Sequence, residues 1–295
     1  MQNMKGKVVV ITGATSGIGQ VAAEELAEMG ARIVQIARDR ERGEAAMKRL
    51  RERSPTVEHS IYYADLSRLS EMRRIAGEIA AAEPRIDVLI NNAGAIFSTR
   101  QVTEDALERT FALNHMSYFM LGHGLQERLL ASAPARIVNT ASDAHEGFTL
   151  DFNDLQSEKA YQGDFWEWMR YGGPAFKVYG RSKLCNILFT RELARRLAGT
   201  GVTANSLHPG FVATRFGDQT GGLLSFGIRL AKRFALTPER GAETLVYLAS
   251  SPEVTAVTGE YFHKCRPSTP NREAQDDAKA KRLWKETADL AHVSD

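Results

Sequence analysis

Tyr179 and Lys183 stand four residues apart in "YGRSK", a spacing that puts both side chains on one face of a helix. An ammonium beside a phenol favours the phenolate and lowers its pKa from the ordinary value of about 10. The pair therefore reads as a proton donor and acceptor for work near neutral pH. For an isolated YxxxK, a chance pairing on a helix surface is the alternative. It loses weight because this is the only YxxxK in the chain and it follows Ser142, which closes the apolar strand candidate "ARIVNTAS". From a strand end, the Ser142 hydroxyl can hydrogen-bond a substrate oxygen and stabilise charge developing there; a serine that only caps the strand is the competing reading. Asn114, in "FALNHMSYF", is polar within an apolar helical stretch.

A second constellation is the turn "TGATSGIG" (12–19), which follows the apolar run "KVVVI". A strand, a glycine-rich turn and a helix form a phosphate site, because the first helical N–H groups are unpaired and the helix dipole favours an anion. Gly13, Gly17 and Gly19 remove Cβ atoms where a pyrophosphate and the helix must approach the backbone. A tight turn without ligand remains the alternative for the glycines alone. The second strand candidate, "ARIVQIARDR", ends near Ala37, where an acidic residue would bind the ribose 2′-hydroxyl of NAD. No carboxylate stands there, and Arg38 follows, placed to pair with a 2′-phosphate. NADP is therefore favoured over NAD, with Arg40 adding a second positive charge and Asp39 capping the next helix.

Short β-branched runs alternate with amphipathic stretches from "KVVVIT" through "ARIVQIA", "RIDVLINNAG" and "GVTANSLHPG" to a last short strand near "GEYFH". That rhythm predicts an α/β fold, a doubly wound Rossmann-type parallel sheet of about seven strands with helices on both faces. With 295 residues, 43% of them hydrophobic, the chain can bury one large core. The reading is a single dinucleotide-binding and catalytic domain over 1–265, then a polar extension over 266–295 with a short helix around Leu283 and Trp284. Within the domain, residues 144–176 form a long aromatic-rich insertion of the kind found in lids and binding loops.

Lysine plus arginine total 38 against 36 acidic residues, leaving no electrostatic footprint for nucleic acid. Cys185 and Cys265 have neither disulfide-scaffold nor zinc spacing, and the N-terminal apolar run is too short for a membrane span. The expectation is a cytoplasmic protein without a stable membrane span. His115, His145 and His208 do not form a metal constellation, and no metal is expected; His208, before Pro209, reads as a structural loop residue.

Taken together, "TGATSGIG", "NNAG" (91–94), Asn114, Ser142, "YGRSK" and "PGFVAT" (209–214) resemble, in order, the motifs of the short-chain dehydrogenase/reductase family. Segments around Tyr179, "AHEGF" and "YGRSKLCNILFTRELARRL", are most similar to its retinol dehydrogenase branch, although the interval from Ser142 to Tyr179 is longer than in that branch. The resemblance implies hydride transfer between a nicotinamide and a carbinol or carbonyl carbon, with Tyr179 handling the oxygen's proton. It implies that Asn114 holds a water in a relay to Lys183, against the alternative of a buried asparagine satisfying backbone groups. It also implies a catalytic set of Asn114, Ser142, Tyr179 and Lys183. Cofactor contacts would come from Thr15, Ser16 and Ile18 beside the three glycines, and from Asp65, Leu66, Asn92, Ala93 and Gly94. Tyr179 and Lys183 would add to these, together with Pro209, Gly210, Val212 and Thr214. For Asp65 an N-terminal helix cap is an equally physical role, and Asn91 reads as mainly structural.

Phe148, Phe152, Tyr161, Phe165, Trp166, Trp168 and Phe176 crowd the stretch between Ser142 and Tyr179. With Ser142, Phe148, Trp166, Trp168 and Tyr179 as substrate contacts, a bulky apolar alcohol, aldehyde or ketone fits such a lining. The alternative is that these aromatics pack the loop onto the body or form a subunit contact. Residues 216–236 read as a helical lid over the substrate, with burial against a membrane surface, helped by Arg229, Lys232 and Arg233, as the alternative. Family members form dimers or tetramers, so a homodimer or homotetramer is what the resemblance implies. Two other readings stand beside the oxidoreductase: a sugar-nucleotide epimerase, whose glycine spacing and second domain are missing, and a non-enzymatic NADP-binding regulator or scaffold, which would be expected to lose part of the Ser/Tyr/Lys set.

Overall fold

In the computed structural model, residues 3–162, 173–210 and 236–294 are described. The first strand, β1 (Val8–Thr12), is an unbroken buried run, as a parallel strand covered on both faces must be. Six further strands, β2 (Arg32–Ala37), β3 (Ser60–Tyr63), β4 (Val88–Asn91), β5 (Ala135–Thr140), β6 (Val202–His208) and β7 (Tyr261–His263), extend the parallel sheet, and β8 (Arg266–Ser268) pairs antiparallel to β7. Their spatial order is β3-β2-β1-β4-β5-β6-β7-β8. The described residues thus hold eight strands rather than about seven. The additional one, "RPS", has no apolar alternation and contains a proline, which an edge strand tolerates.

The order reverses between β1 and β4, and beyond the carboxyl ends of these strands lies the crevice where open α/β sheets bind ligands. Helices α1 (Gly17–Glu28), α2 (Arg40–Arg53), α3 (Leu69–Ala82) and α4 (Arg109–Phe111) precede a π-helical turn (Ala112–Met116). After the turn come α5 (Ser117–Gly124), α6 (Gln126–Ala131), α7 (Pro174–Arg196), α8 (Pro238–Ser250) and α9 (Asp277–Ala291). Alternate residues of each strand face opposite layers. Val10, Val34, Leu89 and Ile137 pack with α3, α5, α7 and α9, while Val9, Ile33, Val88 and Val138 pack with α1, α2 and α8. The sheet is therefore doubly wound.

Helix α9 is part of that core. Ala280, Leu283, Ala288 and Ala291 are buried, and Trp284 stacks on Phe189 at 5.7 Å under the guanidinium of Arg196. Asp276 caps its start by accepting from Lys279 N. Among the described residues no helix is long and apolar enough to cross a membrane.

Candidate active site

At the end of β1 the chain turns through Gly13 at φ +69°, the left-handed region that side chains avoid. A Cβ there would stand 2.9 Å from Ala93 Cα, and one on Gly19 would collide with Asn92 Nδ2 and Gly13 O. The close approach is locked by Thr12, whose Oγ1 accepts from the backbone N–H of both Asn92 and Ala93 at 2.9 Å. Asn92 Nδ2 in turn donates to Gly13 O at 3.2 Å. Ser16 precedes α1 in extended backbone, gives no side-chain cap, and no acid stands in the first turn. Among the described residues the first amides of α1 therefore have no side-chain acceptor, and Thr15, Ser16, Gly17 and Ile18 lie half-buried around them. This cradle fits the pyrophosphate of a dinucleotide.

The cationic side of the crevice differs in part from expectation. Arg38 is exposed at the end of β2, and Asp39 caps α2 by accepting from Arg42 N at 2.8 Å. Arg40 does not face the glycine turn; its guanidinium lies 4.3 Å above the Tyr63 ring. The second cation at the turn is Arg42, two residues on, which donates to Ser16 Oγ at 3.1 Å. Of the two roles open to Asp65, capping α3 falls to Asp105 instead, which accepts from Leu69 N at 2.8 Å. Asp65 closes a local turn by accepting from Ser67 N and Oγ. Leu66 is buried in the core, and Asn91 donates to Asn139 within the sheet.

Asn114 sits in the π-helical turn, a distortion frequent at functional sites. Its side chain accepts from Ala95 N at 2.9 Å and donates to Ala95 O and Ser182 Oγ, both at 3.0 Å. Ser182 Oγ donates to the Tyr179 carbonyl at 2.7 Å. A Cβ on Gly94 would lie 3.2 Å from Asn114 Oδ1 and 3.4 Å from Lys183 Nζ, so these groups share one small space. Lys183 Nζ donates to Thr140 O at 2.9 Å and lies 5.6 Å from the centre of the Tyr179 ring. The Ser142 hydroxyl is hydrogen-bonded to that of Tyr179. The four expected residues converge.

Their ionisation is not the one the spacing suggests. Burial pushes the Tyr179 phenol above its ordinary value, opposed by the Ser142 hydrogen bond, while burial brings the Lys183 ammonium down to about 7. The phenol is thus not depressed by its lysine neighbour here. Desolvation is the largest cause for both groups.

Most of the described insertion aromatics pack the loop onto the body. Phe148 is buried so tightly against α7 that a Cβ on Gly180 would collide with its ring. Phe152 lies under Arg282, and Tyr161 donates to Phe97 O and to Glu108 at 3.4 and 3.3 Å. Phe176 is exposed, its ring 6.3 Å from that of Tyr179. Phe165, Trp166, Trp168, Val212 and Thr214, and nearly all of 216–236, lie outside the described residues. Pro209 and Gly210 are half-buried at the end of β6.

Sequence reasoning missed the supports of Ser142. Beyond β5, Ser142 caps a short turn by accepting from Ala144 N at 3.2 Å. Its carbonyl accepts from buried His145 Nδ1 at 2.7 Å, and His145 Nε2 accepts from Asn271 N at 3.3 Å. The next residue, Asp143, accepts from Tyr261 OH at 2.6 Å and faces His208 Nε2 at 3.0 Å. Burial alone would raise its carboxyl, but the hydrogen bonds from His208 and Tyr261 hold it down at about 2. The pairings with Asn271, Tyr261 and His208 join positions far apart in the chain, and no local sequence signal announces them.

Comparison with known proteins accords with this geometry. The short chain dehydrogenase family model matches residues 7–149, and the enoyl-(acyl carrier protein) reductase model matches residues 169–264. Retinol dehydrogenase 13 from Homo sapiens is 41% identical over 292 residues, covering 97% of this chain and 84% of the relative. A solved structure from Mycobacterium Paratuberculosis superposes with a TM-score of 0.77 at 29% identity, covering 100% of this chain and 96% of the other. The RhlG/NADP active-site complex from Pseudomonas aeruginosa reaches 0.68 at 26% identity, over 88% and 95% of the two chains.

Proposed function

Because the chain belongs to the short-chain dehydrogenase family, in its retinol dehydrogenase branch, and is an oxidoreductase, we propose that it uses NADP(H) on a bulky apolar alcohol or the corresponding aldehyde or ketone. The observation that carries the reading is the convergence of Ser142 and Tyr179, hydrogen-bonded to each other, with Lys183 and Asn114 at the mouth of the glycine cradle. When bound there, a nicotinamide supplies the hydride acceptor or donor. The chain's residues handle the proton and the charge. Tyr179 Oη gives a proton to, or takes one from, the substrate oxygen, and the Ser142 hydroxyl stabilises charge on either oxygen. Lys183, held at about 7 by burial, sits where a positive charge would offset a Tyr179 phenolate. Asn114, anchored by Ala95 and Ser182, fixes the floor beneath Lys183.

Preference for NADP(H) is supported by exposed Arg38 at the end of β2, by Arg42 at Ser16, and by the commitment of the Asp39 carboxylate to the α2 cap. The RhlG complex holds NADP in its own site. The apolar substrate class rests on the aromatic content of the insertion and on the retinol named in the relatives. Titration with NADPH and NADH, followed by turnover of all-trans-retinal and of L-sorbose, tests the reading. The expected result is tighter NADPH binding, loss of that preference in Arg38→Glu by about ten- to a hundredfold as one or two charged hydrogen bonds disappear, and turnover of retinal only. Equal binding of the two nucleotides, or an unaltered preference in the variant, contradicts the cofactor assignment; turnover of sorbose alone contradicts the substrate class.

A further inference from the structure

Backbone pairing between β5 and β6 ends where Ala141 N donates to Leu207 O at 2.7 Å. Two residues further on, a side chain takes over. Asp143 N donates to His208 Nδ1 at 3.2 Å, so Nδ1 carries a lone pair and the ring proton resides on Nε2, 3.0 Å from Asp143 Oδ2. The other end of the same peptide, the Ser142 carbonyl, is held by His145 Nδ1. The Ser142–Asp143 peptide is thus gripped from both ends by imidazoles. His208 is buried and immediately precedes Pro209 and Gly210. It therefore joins the serine's turn to the loop at the carboxyl end of β6.

We propose that His208 is a positioning residue for Ser142: as a neutral imidazole it pins the Ser142–Asp143 peptide to the end of β6, and on protonation it releases that peptide and takes the serine out of register with Tyr179. This rests on the oxidoreductase reading above. A backbone carbonyl in the same place could not titrate; an imidazole can. Protonated Nδ1 would point an N–H at the Asp143 N–H, exchanging an attraction for a repulsion. Among the described residues the charged and titratable groups facing the ring are the Asp143 carboxylate and the His263 ring, 5.0 Å away on β7. Behind them lie Tyr261, bonded to Asp143, and Lys264, which adds positive charge near His263.

The test is the pH profile of kcat with NADPH and all-trans-retinal for the wild type, His208→Asn and His208→Phe, with NADPH Kd measured alongside. Asn keeps an acceptor near the Nδ1 position but cannot titrate; Phe keeps the ring and loses the acceptor. The wild type should lose turnover on the acid side, His208→Asn should retain most of the plateau rate and lose that acid limb, and His208→Phe should fall by about tenfold or more at every pH, with NADPH Kd unchanged. An acid limb that persists in His208→Asn, or a His208→Phe rate equal to wild type, overturns the proposal. Imidazole ¹⁵N NMR decides independently of any substrate. It should find neutral His208 as the Nε2–H tautomer, with Asp143 amide protection falling as the ring protonates. An Nδ1–H tautomer, or protection indifferent to the ring's state, overturns it. Absence of turnover with retinal and every other carbonyl compound would instead strike the substrate reading, leaving the NMR result to judge His208.

Discussion

Around the glycine turn the ends of β1 and β4 meet backbone against backbone, with one hydroxyl, Thr12 Oγ1, holding two amides of the facing loop. Around Ser142 the supports are side chains from far along the chain: His208 at the end of β6, Tyr261 on β7, and Asn271 before α9, whose Nδ2 donates to His145 O. The first region leaves no room for a Cβ on Gly13 or Gly19; the second is assembled from side chains. Damage should therefore have different character in the two. In the cofactor half one added methyl disturbs both fold and ligand, whereas in the substrate half a lost polar group loosens one segment and spares the cradle.

The largest effect is expected from Gly13→Ala. Its Cβ meets Ala93 Cα at 2.9 Å in a left-handed conformation, so left-handed strain of about 1–2 kcal/mol adds to overpacking of about 1–3 kcal/mol. Thermal or urea unfolding should show that loss, and NADPH fluorescence titration should show weakened binding. Unaltered stability and affinity would mean that the close approach imposes no constraint.

Lys183 links the two halves, and its burial has a pH signature. Its pKa in the folded chain, about 7, lies below the ordinary 10.5, so between those values the unfolded chain binds more protons. Stability should therefore rise with pH across that window, at most by about 1.4 kcal/mol per unit. In Lys183→Met that slope should flatten. Equal slopes for both proteins in denaturant titrations at several pH values would contradict the assignment of a desolvated ammonium.

The smallest effect belongs to the insertion. Tyr161→Phe removes two long hydrogen bonds, to Phe97 O and Glu108, while Glu108 still accepts from Phe111 N at 2.8 Å. A stability loss of about 1 kcal/mol, with NADPH affinity untouched, would sharpen the contrast. A large fall in NADPH affinity would erase it.

The same contrast explains what could be read in advance. Gly13, Asn92, Ser142 and Tyr179 belong to short segments whose spacing carries a mechanism, so the strand-turn-helix turn and the meeting of Ser142, Tyr179 and Lys183 in space were legible. Asp39 as a helix cap was legible for the same local reason. The choice of Arg42 over Arg40 depends on how α2 is rotated against the glycine turn, and Arg40 was drawn away by Tyr63. The direction of the Tyr179 shift depends on solvent exclusion by the whole fold, which residue spacing does not encode. The eighth strand was hidden by "RPS", and the His208–Asp143 and Asn271–His145 pairings join segments that nothing local connects.

The account stands most directly on the Tyr179 hydroxyl. Tyr179→Phe removes that one oxygen and leaves the ring, the glycine cradle and Lys183 in place. NADPH titration together with turnover of all-trans-retinal should give wild-type-like nucleotide affinity and a kcat lower by about a hundredfold or more, the scale of a lost general acid or base. Undiminished turnover in the variant would contradict the assignment of Tyr179 as the group that moves the proton.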